Sequence, residues 1–105
     1  MNSNRKGKTG ERELASILRG YGFNARRGVQ YKGGEDSPDV VGIPFYHIEC
    51  KRVEKLNIYD AMKQSIRDAG SETPTVMFRK NGEEWLVCMR LTDFMEVLLG
   101  QTRQN

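Results

Sequence analysis

The stretch Ser37 to Lys51, S-P-D-V-V-G-I-P-F-Y-H-I-E-C-K, constrains this chain more than any other. It holds two runs rich in β-branched and aromatic residues, Pro38 to Ile43 and Tyr46 to Lys51, with a turn at Pro44. Read as strands, they place side chains on alternating faces. His47, Glu49 and Lys51 then share one face, and Ile48 and Cys50 the other. Asp39, Val41 and Ile43 share a face of the first strand. If the strands are neighbours, Asp39 lies beside Glu49, and two carboxylates and an ammonium converge on one end of a sheet. Such groups are rarely buried unless paired. A partly exposed salt bridge on an edge strand would account for them and would contribute little. A divalent-metal site accounts for them better. A hard cation such as Mg²⁺ binds through one or two carboxylates, retained waters and a substrate phosphate. Lys51 would stand next to the bound water and the phosphate.

The charge distribution suits a polyanionic partner. The chain carries a net charge of +3. Residues 1–32 hold eight Lys or Arg (Arg5, Lys6, Lys8, Arg12, Arg19, Arg26, Arg27, Lys32) against Glu11 and Glu13, a balance of +6. The remaining nine basic and twelve acidic residues give −3. A basic half beside a carboxylate-rich site fits a polyanion held by one part and attacked at another. The alternative for Arg5, Lys6 and Lys8 is a frayed, solvated tail.

The 105 residues suffice for one domain with a modest core, flexible at about 1–8 and 101–105. There is no long apolar run, which argues against membrane insertion. The basic N-terminus has no apolar segment after it, so no secretory signal is expected. Cys50 and Cys88 lie in apolar strand-like runs without C-x-x-C spacing, as free thiols of a reducing, cytoplasmic compartment would.

Taken in order, Thr9 is a plausible N-cap for a helix from about Gly10 to Arg19 or Tyr21. Leu14, Ile17, Leu18 and Tyr21 form its apolar face. Glu11 falls nearer the centre of that face than Glu13, so it points toward whatever the helix covers. Arg12 faces outward, where a phosphate contact would suit it. Phe23 to Arg27 reads as a short strand. Residues 28–37 form a pliable loop that leads into Asp39 and should overhang the site, with Gln30, Tyr31 and Lys32 in reach of a polyanion. A second helix spans Ile58 to Ala69, with Ile58, Ala61, Met62, Ser65, Ile66 and Ala69 inward. Thr75–Arg79 and Trp85–Met89 read as strands joined through Asn81-Gly82, a strong hairpin signal. The second of these is apolar on both faces, so both should be covered. Thr92-Asp93 caps a last helix, Phe94 to Leu99, stopped by Gly100. The order is αβββαββα, with a right-handed crossover expected across the second helix.

Pro38-Asp39, nine intervening positions, then Glu49-Cys50-Lys51 match the PD-(D/E)xK nuclease motif. With Arg5-Lys6-Gly7, G-E-R-E-L at 10–14, Gly22-Phe23 and I-E-C-K at 48–51, the segment Arg5 to Lys51 resembles archaeal-type Holliday junction resolvases. The remainder resembles small phage-encoded resolvase-like nucleases less specifically. The resemblance implies an α/β, restriction-endonuclease-like fold, a central mixed sheet flanked by helices. It implies a metal-dependent endonuclease cutting four-way DNA junctions, acting as a homodimer in a bacterial or phage-infected cell. It adds Glu11, the first acid of E-R-E-L, to the site, and offers Gln64 for a supporting role, against a plain surface Gln. The loop at 28–37 departs from the family, which has a shorter, Ser-containing loop there.

The mechanism expected is phosphodiester hydrolysis on Mg²⁺, with Mn²⁺ as a substitute. Asp39, Glu49 and the Cys50 backbone carbonyl would hold the ion. Glu11 would complete the shell or hold a second metal. Lys51 would orient or deprotonate the water, or neutralise the phosphate. Arg5, Lys6, Lys8, Arg12, Arg26, Arg27 and Lys32 are the candidates for DNA contact. His47 packs or hydrogen-bonds on the same face. Trp85, Phe94 and Leu98 build a dimer interface or simply cover the sheet. The rival expectations are another structure-specific or nicking nuclease, and a DNA-binding accessory protein that has lost the chemistry.

Overall fold

A computed structural model describes residues 3–28 and 38–103. The helices are α1 (Ser3–Gly20), α2 (Ile58–Ala69) and α3 (Leu91–Arg103). The strands are β1 (Arg26–Arg27), β2 (Val40–Val41), β3 (Tyr46–Arg52), β4 (Thr73–Arg79) and β5 (Leu86–Cys88). They form one mixed sheet in the order β1-β2-β3-β4-β5. Only β3 and β4 run parallel, joined across α2; the other pairs are antiparallel. The architecture is the α/β, restriction-endonuclease-like arrangement that the motif implies, in the order αβββαββα.

The two faces of β3 explain the layering. Ile48 and Cys50 face α1 and pack with Leu14, Ala15, Leu18, Ala25 and Val40. On the other face lie Glu49 and Lys51, in register with Val76 and Phe78 of β4. Val76 and Phe78 pack beneath Ala61 and Met62 of α2. The sheet is thus apolar against α1 and mixed on the α2 side, where its charged residues gather.

α1 starts well before the expected cap at Thr9. Gly10 is an interior residue of the helix, placed where a Cβ would come within 2.6 Å of Arg52 Cβ. It allows the helix to lie close on β3 instead of marking its entry. The buried stripe also sits one residue over from the expected one: Leu14 and Ala15 are buried, while Ile17 and Tyr21 are exposed. α2 has the expected bounds, with Asn57 Oδ1 accepting from the Asp60 N–H at 3.1 Å and Gly70 closing it at φ 59°. Ile66, expected inward, is exposed.

The C-terminal part departs most from expectation. β5 is an edge strand, and Leu86 and Val87 remain 50% and 57% exposed. An apolar run signals a covered strand only if a neighbour supplies the cover, and among the described residues this strand is left half-exposed. α3 begins before Thr92-Asp93, with the Phe94 N–H bonding the Arg90 carbonyl at 3.0 Å. Asp93 instead sits in the first turn, accepting from Arg90 Nε at 2.9 Å, where a carboxylate favours the helix dipole. The helix runs through Gly100 to Arg103, so the glycine is not its stop and residues 101–103 are helical.

Candidate active site

Backbone pairing fixes Asp39 before its chemistry matters. Its N–H donates to the Ile48 carbonyl at 2.9 Å, and its own carbonyl accepts from the Gly28 N–H at 2.8 Å. Val40 pairs antiparallel with Ile48, which brings the flanking residues Asp39 and Glu49 close to each other. The two carboxyls lie close enough that each acts on the protonation of the other. Two carboxylates in contact need a proton or a cation between them.

The environment strengthens that need. Glu49 is only 4% exposed. Burial, then the Glu49 charge, push the Asp39 carboxyl up to about 7, against a weaker opposing pull from the Cys50 N–H. Burial also raises Glu49. Lys51, half-buried one step along the same face, favours the ionised form of both acids. The Cys50 N–H donates to Asp39 Oδ2 at 2.8 Å. N–H and C=O of one strand residue point to the same side. The Cys50 carbonyl is therefore directed toward the Asp39 edge, where a ligand role would require it. The Cys50 thiol faces α1, and burial pushes it up to about 12.

Glu11 reaches this region from α1, on the packed stripe with Leu14, Ala15 and Leu18. Burial raises its pKa, and the Asp39 charge adds to that. Arg27 offsets this by donating Nε to Glu11 Oε1 at 3.0 Å. Glu13 is elsewhere: it accepts from Trp85 Nε1 at 2.8 Å and pairs with Arg79 at 3.2 Å. Among the described residues no three His, Cys, Asp or Glu side chains are grouped closely enough to enclose one metal ion. A donor set of two carboxylates and a carbonyl remains, all hard oxygens, which fits Mg²⁺ completed by water and phosphate.

The basic candidates are dispersed. Lys8 and Arg12 are exposed on α1, and Arg26 is exposed on β1. Arg27 is committed to Glu11. Lys32, Gln30 and Tyr31, and the side chains of Arg5 and Lys6, lie outside the described residues. Gln64 is half-buried on α2, and its side chain makes no hydrogen bond among the described residues. Sequence reasoning missed Asp68, whose charge bears on Glu49. Its signal was available: Asp68 follows Ala61 and Ser65 along the buried stripe of α2, at helical spacing.

No curated protein and no solved structure matches this chain. The sequence profile described as archaeal Holliday junction resolvase (Hjc) matches residues 2–96, a span that includes Glu11, Asp39, Glu49 and Lys51. With that match over most of its length, the chain belongs to the archaeal Holliday junction resolvase (Hjc) family.

Proposed function

We propose that this protein is a Mg²⁺-dependent endonuclease that cuts four-way DNA junctions. The observation that carries the reading is the closeness of the Asp39 and Glu49 carboxyls where β2 pairs with β3, with Lys51 on the same face of β3 as Glu49. Asp39 and Glu49 would hold the ion through carboxylate oxygens, and Cys50 through its backbone carbonyl. When bound, Mg²⁺, or Mn²⁺ in its place, supplies Lewis-acid polarisation of the phosphate and a more acidic water. Lys51 places its ammonium beside the carboxylates, where it orients the attacking water and offsets charge on the phosphorane. Glu11, held by Arg27, adds negative potential from the α1 side that attracts the cation.

Lys8 and Arg12 on α1 and Arg26 on β1 are exposed and would meet the phosphates of bound DNA. Arg5, Lys6 and Lys32 extend the same basic N-terminal region in sequence. A four-way junction needs two symmetric cuts, and a two-fold homodimer supplies them. The exposed apolar residues Leu86 and Val87 of β5, with Phe94, Met95 and Leu98 of α3, suit that interface. The charge pattern calls for DNA as the partner and not a membrane. The test is a gel comparing four-way junction, flap, duplex and single strand, with and without Mg²⁺. Paired nicks in the junction only with Mg²⁺ are expected. Equal cutting of flap and junction would reassign the substrate, and DNA binding without any cutting would identify an accessory protein.

A further inference from the structure

Glu49 is gripped on a second side, by the only histidine of the chain. We propose that His47 is a positioning residue for the cation site, holding Glu49 by a hydrogen bond so that its carboxylate is presented to a divalent cation opposite Asp39. The inference rests on Glu49 being a cation ligand and adds a residue that does not itself touch the ion.

His47 Nε2 lies 2.9 Å from Glu49 Oε1. With Nε2 protonated, the imidazole donates and the carboxylate accepts. The contact is dry, since His47 is 1% exposed and Glu49 4%. The other ring nitrogen, Nδ1, is 3.7 Å from Glu72 Oε1, too far for a hydrogen bond. Among the described residues, the ring therefore directs its short side-chain hydrogen bond to the acid beside Asp39. Both residues point to the same face of β3, and Pro74 lies beside His47 on β4. A carboxylate has about four lone-pair positions. His47 takes one on Oε1, which fixes the rotation of the group and leaves the remainder for the side of Asp39. A histidine serving the fold alone needs only some acceptor, for which a backbone carbonyl suffices. This one is satisfied by a side chain whose own orientation decides whether two carboxylates can share an ion. Hydrogen-bond partners of ligating carboxylates commonly tune metal affinity as the ligands themselves do.

The test is Mn²⁺ titration calorimetry on the full chain without DNA, using wild type, His47→Gln, His47→Asn and His47→Leu. Folding of each is checked by far-UV circular dichroism. The Gln amide reaches the place of Nε2, whereas the Asn amide stops short of Glu49. The Mn²⁺ Kd is expected to stay within about threefold in His47→Gln and to weaken about 10- to 100-fold in His47→Asn and His47→Leu. The same order should appear in the Mn²⁺ concentration that half-saturates cleavage, with near-normal turnover at saturating metal. Wild-type Kd in folded His47→Asn or His47→Leu would overturn the role of His47 while leaving Glu49 a ligand. Failure of the wild-type protein to bind Mn²⁺ would overturn the cation site itself, and this inference with it.

Discussion

Arg27 donates its Nε–H to Glu11 Oε1 at 3.0 Å, tying the second residue of β1 to the α1 acid nearest the site. The pair is partly solvated, with side chains 33% and 19% exposed, so its contribution to stability is modest, about 0.5–1 kcal/mol. Its electrostatic effect is more specific. Arg27→Ala should leave Glu11 half-buried against the Asp39 charge with its hydrogen-bonded cation gone. Glu11 then titrates at higher pH than in wild type, which carboxyl NMR resonances would register. An unchanged Glu11 titration would show that Arg27 is not its controlling partner.

The acids give the metal-free protein an inverted pH dependence. Asp39 has an ordinary value of 3.8 and titrates at about 7 when folded. Between those values the folded chain holds a proton that the unfolded chain has lost. The stability that Asp39 contributes is accordingly fully present below about 4 and is lost as pH rises through about 7. Glu11 and Glu49 are raised as well and act in the same direction. In EDTA, the urea midpoint should be higher at pH 5 than at pH 8, and Asp39→Asn should flatten the difference. Mg²⁺ competes with the same proton, so it should stabilise more at pH 8 than at pH 5.

Two glycines of α1 should respond oppositely to the same substitution. A Cβ at Gly7 meets nothing within 4 Å. Gly7→Ala should gain up to about 1 kcal/mol from helix propensity. At Gly10 the added Cβ would lie 2.6 Å from Arg52 Cβ. Relief requires α1 to lift from β3, carrying Glu11 with it, and overpacking of this kind costs about 1–3 kcal/mol. Urea denaturation separates the two outcomes. Equal effects would mean that the close helix–strand approach is not tight in solution.

The two cysteines are both free. Burial raises the Cys50 thiol to about 12, with the Asp39 charge adding to it. Thiolate is the reactive form. Cys50 should label with a disulfide reagent at pH 8 far more slowly in the folded protein than in urea. Fast native labelling would place the thiol outside the α1 layer.

The parts of this fold that could be read from sequence are those set by local period. Alternation along Tyr46–Lys51 placed Glu49 and Lys51 together and Ile48 opposite, and β3 has that arrangement. The apolar stripe from Ile58 to Ala69 gave α2 its correct ends, which Asn57 and Gly70 close in the fold. Features that depend on distant partners were hidden. Gly10 looked like a helix boundary because Arg52, which it faces, is 42 positions away on another element. Leu86 and Val87 looked like a strand interior because hydrophobicity does not reveal whether a covering layer exists. Arg27 looked like a phosphate contact, and its pairing with Glu11 arises only when β1 folds beside α1. The value of His47 was hidden for a related reason: alternation put it on the right face, but only the folded ring shows which atom it holds.

The most direct test of the Asp39–Glu49–Lys51 site separates cutting from binding. Wild type, Asp39→Asn and Lys51→Ala are incubated with a labelled four-way junction in Mg²⁺, and binding is followed in parallel in Ca²⁺. The site as described here requires that both variants bind the junction within about threefold of wild type and cut it at least about 100-fold more slowly. Wild-type cutting by either variant would contradict it.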